Sequence, residues 1–185
     1  MTIGTAMRQA RLTAGKTQQA MCAELYISDT LLSDIEHGRR RAQPDILKKA
    51  SSSFDNPILY LATIEEVTGG AFSTPWLNGN NVDLHPGEVA EKLIEEIKEA
   101  ASILEHREKG IRPLMTTEAR EKEIQRLLQV VDVRTAADIY IAIRCQQFEI
   151  SPQELFALHR DKLVKAGFIK EKVRPIGPDR RKSLK

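Results

Sequence analysis

Residues 17–38 read TQQAMCAELYISDTLLSDIEHG. Two helices fit into this span only if a tight turn joins them. The first begins at Thr17, whose hydroxyl can accept from the free backbone donors of a first helical turn, and it turns Ala20, Met21 and Leu25 inward. The second begins at Ser28 and buries Leu32 and Ile35. Gly38 stands just past the last inward residue, where a helix commonly takes a left-handed cap, and Arg39, Arg40 and Arg41 follow it at once. Two short helices crossing over a turn, with a basic run behind the second, form the arrangement that lays one helix in the major groove of DNA and grips the backbone beside it.

Helical periodicity extends to both sides of this pair. Residues 1–10 place Ile3, Ala6, Met7 and Ala10 on one face. A fourth helix spans 44–51 and opens on Pro44, whose missing N–H is harmless in a first turn; a fifth spans 57–67. Phe54, Ile58, Leu59, Leu61 and Ile64 are expected to close the core of this five-helix unit.

With these residues in place, the stretch from 3 to about 67 resembles the Cro/CI-type (XRE) helix-turn-helix regulators of bacteria and phages. The resemblance is carried by Gly15, the Thr17-Gln18 start, the Ile27-Ser28 entry, Ser33, the Ile35-Glu36-His37-Gly38 exit, Arg39-Arg40 and Pro44, all in register without a gap. Periodicity alone gives a small amphipathic bundle. The resemblance implies a lambda-repressor-like DNA-binding domain, in which Asp29, Thr30, Ser33 and Asp34 occupy the base-reading positions and Thr17, Gln18, Arg39, Arg40 and Arg41 the phosphate-binding ones.

Two departures from the family pattern stand out. The turn position that is usually glycine is Tyr26 here, and a bulky residue at positive φ costs on the order of 1 kcal/mol, which puts the shape of the turn in question. The base-reading positions also hold the acids Asp29 and Asp34, where Gln, Arg or Ser is commoner. Carboxylates repel phosphates, yet they can accept from the amino group of cytosine in the major groove. Asp29 has a plainer explanation as a negative charge in a first helical turn. Asp34 lies too far along its helix for that.

Charge is distributed unevenly along the 185 residues. Residues 1–53 carry eight Lys/Arg against five Asp/Glu, and 170–185 carry seven against two, so the total of +2 leaves −6 for the middle. Basic ends around an acidic body suit a protein that meets DNA through one end. The charged fraction of 29% and the hydrophobic fraction of 41% are those of a soluble globular protein. No apolar run approaches the roughly 20 residues of a membrane span, and no basic-then-apolar leader opens the chain, so a cytoplasmic protein is expected. Cys22 and Cys145 fit no metal or redox spacing and read as small buried hydrophobes. His37, His85, His106 and His159 are scattered, and no metal site or cofactor motif emerges. Gly69-Gly70 lacks the lysine and the strand of a phosphate loop.

Beyond residue 67 the periodicity stops. Residues 68–86, with Pro75, Pro86 and an Asn78-Gly79-Asn80-Asn81 turn signal, read as a linker, although Phe72, Trp76 and Leu77 suggest that part of it docks. Helices return over 87–110, 118–131, 135–148 and 151–167, the last opening on Ser151-Pro152-Gln153-Glu154. Residues 87–169 therefore read as a second, all-helical domain for oligomerisation or regulation, and 170–185 as a basic flexible tail. Val89 starts an apolar stripe continued by Leu93, Ile97, Ala100 and Leu104, expected to serve dimerisation.

Glu95-Glu96-Ile97-Lys98-Glu99, followed later by Asp132, weakly resembles the carboxylate motifs of MazG-like nucleotide pyrophosphohydrolases, which are helical and magnesium-dependent. Gln129 stands where the second motif requires a glutamate, and paired glutamates are ordinary on solvated helix faces. The expected protein is thus an all-α, non-enzymatic, sequence-specific regulator of transcription. It binds double-stranded DNA as a homodimer, most simply as a repressor. A helical protein-interaction module and a degenerate MazG-like hydrolase with a DNA-binding head are the alternatives.

Overall fold

The computed structural model describes residues 1–105 and 116–170. These residues form eight α-helices and no strand: α1 (Ile3–Thr13), α2 (Gln18–Leu25), α3 (Asp29–Glu36), α4 (Pro44–Phe54), α5 (Pro57–Thr68), α6 (Pro86–Glu105), α7 (Thr117–Gln147) and α8 (Pro152–Lys165). The expected helix end near Gly110, His106 and the basic tail beyond Lys170 lie outside the described residues. Short polar side chains set the helix starts. Thr2, Thr17, Ser28, Asn56 and Thr116 each accept from a backbone N–H of the turn that follows, satisfying donors that a helix leaves without internal partners.

Met7, Met21, Leu32, Ile35, Leu47, Ile58 and Leu59 form the fully buried centre of α1–α5. Two sequence expectations are corrected here. Ala20 is exposed, and Cys22 joins Met21 and Leu25 in the core instead, because the inner stripe of α2 falls on 21, 22 and 25. Ile64 is exposed because it sits about 140° around α5 from Leu59 at 100° per residue.

The stretch 68–86 is more than a tether. Thr74 and Trp76 are buried, and Trp76 belongs to one continuous apolar core with residues of α1–α5, Val89 of α6 and Ile139 and Ala142 of α7. Polar contacts fasten the same strap to α7: the Thr74 hydroxyl donates to Asp138, and Arg134 donates to the carbonyl oxygen of Phe72 over 2.8 Å. The chain accordingly divides into two compact units at Met1–Pro152 and Gln153–Lys185, with α1–α7 and the strap inside the first.

Residues 117–147 form a single 31-residue helix, not the two that were expected. No glycine or proline interrupts Asp132-Val133-Arg134, so continuing the helix keeps every backbone donor and acceptor paired where a break would free several. α7 lies along α6 and also packs on α5. Apolar side chains thus change neighbours along one uninterrupted helix.

Candidate nucleic-acid interface

α3 is held in place by its two neighbours before any base or phosphate is considered. Tyr26 itself adopts the left-handed conformation, φ 58° and ψ 46°, and caps α2 with its N–H on Cys22. The tight turn is kept without glycine. Lys49 lies over the Tyr26 ring at 3.4 Å from its centroid, a contact that offsets part of the strain. At the other end of α3, Gly38 takes φ 70°, and α1 presses so closely that a Cβ at Gly4 would stand 2.0 Å from the Ile35 carbonyl oxygen.

A buried charge network locks the same three helices together. Arg11 of α1 donates from Nε to Glu36 Oε1 over 2.7 Å and from Nη2 to Oε2 over 3.0 Å, and Gln18 of α2 adds a third donor over 2.8 Å. The side chains of Arg11 and Glu36 are 9% and 1% exposed. Burial by itself pushes the Glu36 carboxyl up, but hydrogen bonds from Arg11 and Gln18 outweigh it and hold it below the ordinary glutamate value. Reading along the chain missed this network. Its signal was Arg11, four residues after Met7 on the apolar face of α1, where a lone charge must find a partner.

The residues expected to meet DNA fall into distinct settings. Asp29 and Thr30 are exposed at the start of α3, and Ser33 and Asp34 are half-buried one turn on. The Cys22 thiol is pushed up to about 11, first by burial and second by the nearby Asp29 carboxylate, so it stays protonated at neutral pH. Thr17 caps α2 through its hydroxyl, and Gln18 turns its amide inward to Glu36. Arg39 folds back onto α3, with Nε 2.8 Å from Asp34 Oδ1 and Nη2 3.3 Å from Ser33 Oγ. Arg40 and Arg41 instead line a cleft of about 460 Å³ with the first residues of α1 and with Glu65 and Glu66 of α5. The three consecutive arginines therefore do not share one environment.

On α6, Ala100 is buried and Leu93 half-buried, while Ile97 is 48% exposed and Leu104 also reaches solvent. α7 adds Ile124, Leu127, Leu128 and Val131, the apolar positions that the sequence marks as periodic in this helix, all exposed and none of them among the residues expected to serve dimerisation. Of the carboxylates in the weaker resemblance, Glu96 and Asp132 line one cleft with Lys92, which pairs with Glu95 at 2.7 Å and Glu96 at 2.8 Å. Among the described residues no group of three or more His, Cys, Asp or Glu side chains is placed to hold a metal ion. No helix among them is long and apolar enough to cross a membrane.

Comparison with known families matches residues 7–61 to a family model described as helix-turn-helix. Neither curated proteins nor solved structures gave a match. The matched span runs from the inner face of α1 through the capped α2–α3 pair into α5. Residues 7–61 are therefore similar to helix-turn-helix domains, in agreement with the resemblance to the XRE kind read from the sequence.

Proposed function

We propose that this chain is a cytoplasmic, non-enzymatic repressor that binds a specific double-stranded DNA site as a homodimer. One observation carries the reading. The buried strap around Trp76 joins the helix-turn-helix domain to the α6–α7 hairpin through a continuous core, so a dimer made through the hairpin holds two copies of α3 at a defined separation. A single recognition helix touches only a few base pairs, and two half-sites about one helical turn apart are the usual remedy. The exposed apolar side chains of α6 and α7 supply the dimer surface: Ile97 and Leu104 from the expected stripe, joined by Leu127, Leu128 and Val131. Ala100 serves the interior of the hairpin instead. A protein that only occupies its site blocks transcription by occupying it.

A second reading has its own observation. Asp29 and Asp34 place two carboxylates on the outer side of α3, and that suits a basic protein partner better than phosphate. Selection of binders from random duplex DNA with the full chain, paired with sedimentation, separates the readings. A two-fold symmetric enriched motif and a dimer are expected, and Ile97→Glu combined with Leu128→Glu is expected to yield a folded monomer that binds the motif at least tenfold more weakly. No enriched duplex overturns the regulator; a wild-type monomer overturns the dimer.

A further inference from the structure

We infer that Arg39 reads a guanine in the major groove and that Asp34 is its positioning residue, not itself a base contact; this rests on the DNA-binding reading above. The side chain of Arg39 is tied to α3 along one edge only. Its Nε donates to Asp34 Oδ1 over 2.8 Å and its Nη2 to Ser33 Oγ over 3.3 Å. The main chain repeats the attachment, since the N–H groups of Arg39 and Arg40 both donate to the Asp34 carbonyl oxygen, over 2.8 and 3.2 Å, after the left-handed turn at Gly38. Residue 39 is thus fixed relative to residue 34 by backbone and side chain together.

A guanidinium carries five N–H donors in one rigid plane. Asp34 and Ser33 use the edge formed by Nε and Nη2. The edge formed by Nη1 and Nη2 has no protein partner among the described residues, and the side chain is 57% exposed. Two parallel donors with a fixed direction match two adjacent acceptors. In the major groove only guanine offers these, as O6 and N7, whereas adenine and cytosine put an amino donor in the way.

The same geometry accounts for an acid on a DNA-facing helix. A carboxylate already bound by a charged donor has little to gain from the neutral amino group of cytosine, because the charge-assisted bond is the stronger one. Asp34 then cancels the local charge of Arg39 and points it. Arg40 and Arg41, which make no such contact with α3, remain as phosphate-binding cations. Adjacent arginines thereby divide into one that specifies and two that hold, in line with the general separation of base contacts from backbone contacts.

Guanine and its paired cytosine select the same base pair, so the test must tell the two strands apart. Full-length protein is used to select duplexes from a random library, and the enriched site is rebuilt with 7-deazaguanine at each guanine in turn, which removes N7 and leaves every cytosine amino group intact. At one guanine per half-site, loss of N7 is expected to weaken wild-type binding by about 5- to 100-fold. Arg39→Ala should lose the preference for that guanine and become indifferent to 7-deazaguanine there. Asp34→Asn should weaken the preference at that same position while leaving the others unchanged. If Arg39→Ala keeps every base preference and only flattens the salt dependence, Arg39 is a phosphate contact, and the inference falls while the DNA-binding reading stands. If Asp34→Asn changes a position that Arg39→Ala does not, Asp34 reads a base directly and the inference falls as well. Failure of the wild type to enrich any duplex removes both readings. Both residues lie on the surface, so unchanged thermal unfolding of the variants is the accompanying control.

Discussion

The helix-turn-helix domain and the α6–α7 hairpin are both helical, yet they are held together by opposite means. In the first, a buried ion pair, four helix caps and a left-handed glycine turn fix five short helices around a fully buried centre. In the second, two long helices leave Ile94, Ile97, Leu127 and Val131 about half exposed. Short helices are marginal alone and need specific fasteners. Long helices stand on their own hydrogen bonds and can leave a face open for another molecule. The first region is finished within one chain; the second leaves an apolar face that the proposed dimer would cover.

Removing Glu36 should break the finished region most severely. With Glu36→Ala, Arg11 is left buried beside a backbone carbonyl and a glutamine amide, and losing one partner of a buried ion pair costs about 3–5 kcal/mol. Urea unfolding of the full chain measures it, and a loss below about 1 kcal/mol would show that water reaches the pair freely. The pH dependence carries a sign. Glu36 is held below its ordinary value, so its contribution is fully present above the unfolded value of about 4.3 and is lost as pH falls through the lower folded value. Glu36→Gln should flatten that acid limb while leaving stability near neutral pH below that of the wild type.

Trp76 tests whether the two regions share one fold. Trp76→Ala opens a cavity in the core that links them, and truncating a buried Trp costs roughly 3 kcal/mol or somewhat more. A single cooperative transition at lower denaturant is the expected result. Two separate transitions in the wild type would instead mean that the strap carries little energy between them.

These same elements show what the chain discloses when read as a string. Thr17 and Ser28 announce their helices because a cap is a local interaction, settled within three residues. The Arg39–Asp34 pair spans five positions and a turn, and the Arg11–Glu36 pair spans 25 residues, so neither has a periodic signature. The strap is concealed by its own composition. Gly, Pro and Asn mark turns around residues 69–81, but turn chemistry is silent about whether a segment is laid over a core, and only the apolar Phe72, Trp76 and Leu77 hinted that it is. The merging of two expected helices into α7 has a related cause. Apolar spacing reports which face is buried, and a change of neighbour along a continuous helix imitates a break.

The smallest expected effect concerns the turn at Tyr26, where the resemblance leads to the expectation of a glycine. Tyr26 occupies the left-handed region at φ 58° and remains exposed, with Lys49 stacked on its ring. Left-handed geometry costs a residue with a Cβ about 1 kcal/mol, while an exposed cation–π contact returns roughly 0.5–1 kcal/mol. Tyr26→Gly alone is therefore expected to change stability very little, since relief of strain, loss of stacking and greater freedom of the unfolded chain nearly cancel. The informative quantity is the coupling. In a Lys49→Ala background the stacking is already gone, and Tyr26→Gly should then be more favourable than in the wild type by about 0.5–1 kcal/mol. Thermal or urea unfolding of the four proteins measures the difference, and additive effects would mean that Lys49 does nothing for the turn. A positive coupling would explain why a tyrosine is tolerated where a glycine is expected: the ring recovers through Lys49 of α4 part of what its backbone loses at the end of α2.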